Sequence, residues 1–199
     1  MDLIAACKKK KTQEALQLLG AGANPNEVNR LGESPLHWAV INSDAKLVIA
    51  LLEAGANPNG RTKSKKAVGQ GAGKATPLHF AASRENVEIL DCLLQAGADP
   101  RAVDATGFSV LHAAVHSPEV AMLRKLVEAG ADPNDGSLAF AARDGSLEAV
   151  LELLSLGASP HGDGEDFPPL RMAYACNKPE VAKVLIAAGA RWPVDTEQK

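Results

Sequence analysis

The sequence predicts an all-α solenoid in which short helix–turn–helix units stack side by side and turn or hairpin loops project between them. Three observations predict it. A Gly-Ala-Asn/Asp-Pro phrase recurs along the whole chain, and a second phrase, Ser/Thr-Pro-Leu-His, follows it in several copies. The stretches between them carry apolar residues at the 3.6-residue period of an amphipathic helix. Composition agrees: 46 % of the 199 residues are hydrophobic but only 4 % are aromatic, so Ala, Leu and Val must fill the core, which suits close helix packing.

The first phrase stands at Gly22-Ala-Asn-Pro-Asn26, Gly55-Ala-Asn-Pro-Asn59, Gly97-Ala-Asp-Pro-Arg101, Gly130-Ala-Asp-Pro-Asn134 and Gly157-Ala-Ser-Pro-His161, with a degenerate copy at Gly189-Ala-Arg-Trp-Pro193. The glycine intervals are 33, 42, 33, 27 and 32. The second phrase reads Ser34-Pro-Leu-His-Trp-Ala39, Thr76-Pro-Leu-His-Phe-Ala81 and Ser109-Val-Leu-His-Ala-Ala114, with eroded copies at Ser137–Ala141 and Pro168–Ala173. Its hydroxyl suits an N-cap, and Pro at the first helical position has no N–H to leave unsatisfied. The helix that follows buries Leu36 and Ala39, Leu78 and Ala81, or Leu111 and Ala114. A second helix per unit is read from Leu47, Val48, Leu51 and Leu52; Ile89, Leu90, Leu93 and Leu94; Leu123, Leu126 and Val127; Leu147, Val150, Leu151 and Leu154; and Val181, Val184 and Leu185. Gly-Ala ends that helix and Asn/Asp-Pro starts a turn. One such pair cannot bury both its faces, so stability requires stacked neighbours.

These residues resemble the ankyrin repeat, with its 33-residue period and Thr-Pro-Leu-His-x-Ala signature. The resemblance covers most of the chain and implies one ankyrin-repeat domain over 1–199. Its six units fall at about residues 1–24, 25–57, 58–99, 100–132, 133–159 and 160–191, with 192–199 as a C-terminal cap or tail. It further implies a non-enzymatic scaffold that binds a protein partner on a concave surface of hairpin tips and inner helices. The positions matching the family's partner-facing ones are Arg30, Leu31, Glu33, Ile41, Asn42, Ser83, Arg84, Ala105, Thr106, Phe108, His116, Arg143 and Asp144. Asn26, Asn59 and Asn134 match an asparagine that some eukaryotic hydroxylases modify in such repeats, and Leu18 lies eight residues before Asn26.

Departures from the repeat carry the individuality. The 42-residue interval holds a basic, glycine-rich insertion over 60–75 with Arg61, Lys63, Lys65, Lys66 and Lys74 and no acid. It reads either as a tolerated surface loop or as an arm for an acidic partner such as nucleic acid, phosphate or anionic lipid. Its Gly69-x-Gly71-x-Gly73-Lys74 misses the phosphate-loop pattern, because Val68 and Ala75 occupy required positions. The 27-residue interval runs from Gly130 straight into the helix at Ser137, so the projecting loop is expected to be cut short there. Lys8 to Lys11 fit a solvated helix end, and also a nuclear address. Trp38, Phe80, Phe140 and Met172 share one slot, read either as inner-helix core or as an apolar strip on the concave face. Trp192 reads as a cap on the last unit.

His37, His79 and His112 recur once per unit, too far apart for one zinc ion, and each is expected to bond its own Ser34, Thr76 or Ser109. His161, Asp163, Glu165 and Asp166 miss the calcium-loop spacing. No nucleophile motif or zinc-protease helix is present, so no catalytic residue, cofactor or metal is expected. Cys7, Cys92 and Cys176 are odd in number and far apart, and only two residues precede Leu3-Ile4-Ala5-Ala6-Cys7, too few for a signal peptide. The chain therefore reads as cytoplasmic and reduced. No apolar run reaches the ~20 residues of a membrane helix. Net charge is −3, divided into +5 over 1–75 and −8 over 76–199, which disfavours a nucleic-acid binder. A monomer that binds another protein is the expectation.

Overall fold

The computed structural model describes residues 2–63, 73–84, 86–117, 119–162 and 168–192. Among the described residues it forms twelve helices of six to nine residues: α1 (Leu3–Lys8), α2 (Thr12–Gly20), α3 (Pro35–Ile41), α4 (Ala45–Glu53), α5 (Pro77–Ala82), α6 (Val87–Gln95), α7 (Val110–Val115), α8 (Ala121–Glu128), α9 (Ser137–Asp144), α10 (Leu147–Ser155), α11 (Pro169–Ala175) and α12 (Pro179–Ala187). There is no sheet among them, only an isolated antiparallel bridge between Val103 and Ser109. The odd-numbered, inner helix of each pair is followed by an even-numbered, outer one. The chain divides into two compact units, Met1–Ala113 and Ala114–Lys199. In the first, α1 packs on α3 and α3 on α5; in the second, α9 packs on α11.

Inner helices start as the phrase dictates. Ser34 and Thr76 cap α3 and α5 in an extended conformation, with Pro35 and Pro77 in the first turn. Ser34 donates its N–H to Nδ1 of His37 at 3.1 Å, and its hydroxyl lies 2.8 Å from the same nitrogen. Thr76 and His79 repeat this at 3.2 and 2.9 Å, and the Ser109 hydroxyl lies 3.1 Å from His112 Nδ1. The expected pairing of each histidine with its own cap therefore holds. Because Nδ1 accepts, the ring proton sits on Nε2. There His37 faces the Ala75 carbonyl at 3.4 Å and His79 the Phe108 carbonyl at 3.3 Å. The His37 and His79 imidazoles thus tie their caps to the following repeat. Burial pulls the His37 pKa down to about 4, only partly opposed by the Ala75 carbonyl, and lowers that of His79.

Outer helices bury a face set by their cap. Asp44, Asn86 and Ser146 cap α4, α6 and α10, and the third, fourth and seventh helical residues turn inward: Leu47, Val48 and Leu51; Ile89, Leu90 and Leu93; Ala149, Val150 and Leu153. This corrects the face read for α10. Leu147 and Leu151 are exposed, at 37 % and 49 %, because Leu147 is the first residue after the cap and lies off the buried stripe.

Asparagines at the end of the turn phrase hold successive turns together. Asn26 donates from Nδ2 to the Gly55 carbonyl at 2.8 Å and accepts from the Asn57 N–H at 2.7 Å. Asn59 does the same to Gly97 and Asp99 at 2.9 and 2.8 Å. In the second unit Asn134 accepts from Ser159 at 2.7 Å. The residues read as modification candidates are therefore clamps. Trp192 leans edge-on against Tyr174 at 5.2 Å with 54 % of its surface exposed. Residues 193–199 of the expected tail lie outside the described residues.

Two predictions follow from this packing. Gly32 sits at φ +76°, and a Cβ there would stand 2.8 Å from the backbone nitrogen of Lys63, whereas Gly22, at φ +85°, has open space around it. In urea unfolding Gly22→Ala should cost about 1 kcal/mol for the backbone conformation alone, and Gly32→Ala about 2–3 kcal/mol. The histidines give a pH limb. A His37 pKa depressed on folding means that the unfolded chain binds more protons below pH 6.5. Stability is then full above 6.5 and falls as pH drops toward about 4, by about 3 kcal/mol. Urea titrations of His37→Gln should show this limb flattened between pH 6.5 and 4.5.

Candidate functional site

Three fingers project from the first unit, each built by local hydrogen bonds. At Asn29–Glu33 the Asn29 N–H donates to the Glu33 carbonyl at 3.1 Å, and Asn29 Oδ1 accepts from Leu31 at 2.9 Å and Glu33 at 3.1 Å. Arg30 is left exposed and Leu31 half-buried. Glu33, expected at the partner-facing surface, is 2 % exposed and takes Asn29 Nδ2 at 2.6 Å. That expectation is corrected: Glu33 closes the turn.

The second finger is the base of the basic insertion. Thr62 donates to the Ala75 carbonyl at 3.0 Å, Lys74 to the Thr62 carbonyl at 2.8 Å, and Ala75 N–H to the Thr62 hydroxyl at 3.2 Å. The base is tied to both neighbouring fingers, through Lys63 N–H to Leu31 O at 2.7 Å and Ala105 N–H to Gly73 O at 2.6 Å. Arg61 donates from a terminal nitrogen to the Val103 carbonyl at 2.8 Å, so this cation serves finger-to-finger packing. Lys63 and Lys74 are exposed; Lys65 and Lys66 lie outside the described residues.

The third finger is organised by Asp104. Its Oδ1 accepts from the Thr106 N–H and hydroxyl, both at 2.7 Å, and from the Phe108 N–H at 3.1 Å. Ala105, Thr106 and Phe108 are exposed, and the Phe108 ring stacks on His112 at 5.2 Å, 4° from parallel. Behind the fingers Ser83 and Arg84 are exposed at the end of α5, and Ile41 is half-buried. Asn42 is half-buried too and donates to the Cys7 carbonyl at 2.8 Å, so part of its amide holds α3 to α1.

The second unit differs. α9 begins directly after Gly136, so the loop is cut short as expected. Arg143 lies over the Phe140 ring at 4.7 Å and donates from Nε to Asp144 Oδ1 at 2.8 Å, while the other Asp144 oxygen is 3.0 Å from His116 Nδ1. The shared slot divides. Trp38 and Phe80 are buried, at 8 % and 4 %, with Lys8 Nζ 5.0 Å over the Trp38 ring. Phe140 and Met172 are half-buried and line a depression with Ala139 and Arg143.

Among the described residues no group of three or more His, Cys, Asp or Glu could hold a metal ion. His37, His79 and His112 are committed to their caps, and Asp163, Glu165 and Asp166 lie outside the described residues. Burial, helped by Asp44, pushes the Cys7 thiol up to about 12, the opposite of an activated nucleophile. Among the described residues no helix is long and apolar enough to cross a membrane.

Capped helix pairs, turn glycines and lateral finger bonds define a class: a helical repeat scaffold for protein–protein interaction. The family model described as ankyrin repeats (3 copies) matches residues 3–72 and 63–137. The chain belongs to the ankyrin-repeat family. Among solved structures it is similar to the crystal structure of the human ASB11 ankyrin repeat domain, with a TM-score of 0.81, 26 % identity, and coverage of 96 % of this chain and 85 % of that one. No curated protein matches it.

The third finger yields a local test. Asp104→Ala removes the acceptor for two backbone amides. Hydrogen exchange at Thr106 and Phe108 should speed up about tenfold, with global stability lowered by no more than about 1 kcal/mol.

Proposed function

We propose that the partner-facing surface is the finger-and-inner-helix face of each unit. In the first unit it comprises Arg30, Leu31, Ile41, Asn42, Ser83, Arg84, Ala105, Thr106 and Phe108; in the second, His116, Arg143 and Asp144. The observation that carries the reading is Phe108: a large apolar ring, 46 % exposed, held on a rigid turn and backed by a buried histidine. Aromatic and arginine anchors on rigid supports are what interface hot spots are made of. The partner is a polypeptide, engaged by a monomer of this chain, and a standard interface would cover about 800 Å² of it. A nucleic-acid partner is disfavoured by the opposed charges of the two parts of the sequence and would give a steep salt dependence.

The test uses a partner captured from native lysate and then purified. Arg30→Ala, Phe108→Ala and Arg143→Ala should each weaken its binding, by about tenfold or more for Phe108. Lys46→Ala and Glu88→Ala, on the outer helices α4 and α6, should leave it unchanged in the same calorimetric titration. Unchanged binding in the first set would overturn the assignment.

A further inference from the structure

We propose that the depression between α9 and α11 receives one leucine- or phenylalanine-sized side chain of the partner polypeptide, with a carboxylate beside that side chain held by Arg143. This rests on the reading above and narrows the chemistry of the partner.

The pocket measures about 130 Å³ and is lined by Ala139, Phe140, Arg143 and Met172. An apolar cavity of roughly 150 Å³ holds a benzene molecule, so this volume fits one side chain and little more. Phe140 and Met172 occupy the slot that Trp38 and Phe80 fill as buried groups in the first unit. Here the slot is half-open, and the chain runs from Gly136 straight into α9, so among the described residues no finger precedes that helix. Methionine suits such a wall, since its unbranched thioether adapts to the shape it meets.

Arg143 supplies the charge. One face of its guanidinium lies on Phe140 and its Nε is fixed by Asp144, whose other oxygen is 3.0 Å from His116 Nδ1. Among the described residues no oxygen accepts from its two terminal nitrogens. A guanidinium held flat in this way loses little freedom on taking a carboxylate. The wall is otherwise apolar, so an apolar side chain with an adjacent carboxylate matches both parts of the site.

N-acetyl-leucine joins these two groups in one small probe. Titrated into the full chain labelled with methyl-13C methionine, it should shift the Met172 resonance saturably. Met122, fully buried in α8, should not move. N-acetyl-leucinamide, without the charge, should bind up to about fivefold more weakly, the range of an exposed ion pair. N-acetylglycine should give no saturable shift. Arg143→Gln should bring the affinity for the acid down to that for the amide in the same variant. No saturable Met172 shift, an equal shift with N-acetylglycine, or equal affinity for acid and amide in the unaltered chain would overturn the proposal. None of these results touches binding of the captured partner through Arg30 and Phe108, so failure of the pocket and failure of the wider face are read separately.

Discussion

Helices of six to nine residues do not persist alone in water, because nucleation is costly and each helix leaves much of its backbone unpaired at the ends. Every described helix in this chain is that short. Their order comes from neighbours: the apolar stripe of one helix pair is completed only by the pair beside it. Within the first unit α3 is flanked by α1 and α5, and within the second α9 lies on α11. Leu36, Leu78, Leu111, Leu123 and Leu153 are wholly buried by this stacking.

Apolar stacking alone would let one pair slide over the next, and directional bonds prevent it. Asn26 and Asn59 each use both ends of a side-chain amide on the following turn, and His37 and His79 each use both ring nitrogens. The same residues thus close a local motif and fix the next repeat. The fingers continue the pattern, with Lys63 bonded to Leu31 and Ala105 to Gly73. This frame is what allows Arg30, Thr106 and Phe108 to stand on rigid turns while remaining exposed.

The architecture was legible because its signals are local and repeated. Ser34-Pro-Leu-His marks a helix start with its own residues, and the direct run from Gly130 to Ser137 leaves no chain for a finger. The pairing of each histidine with its own hydroxyl followed from spacing alone. Contacts across repeats were not legible. Nothing in the letters says that Asn26 reaches Gly55, that Arg61 reaches Val103, or that Glu33 is folded back onto Asn29. The face of α10 was misread for a related reason: counting leucines favoured Leu147 and Leu151, whereas the Ser146 cap sets the rotation that buries Ala149 and Leu153. Within the shared slot Phe80 is buried and Phe140 half-buried although the residue is the same, and covering is a property of tertiary structure.

The two units share a repeat but present different chemistry: fingers carrying Arg30 and Phe108 in one, an open pocket under Arg143 in the other. The claim joining them is that partners meet the fingers and inner helices rather than the outer helices. Hydrogen–deuterium exchange of the full chain with and without its purified partner tests it most directly. The account predicts slowed exchange in segments 29–33, 104–108 and 139–144, with α4, α6 and α10 unchanged. Protection confined to those outer helices, with the fingers exchanging as in the free chain, would contradict it.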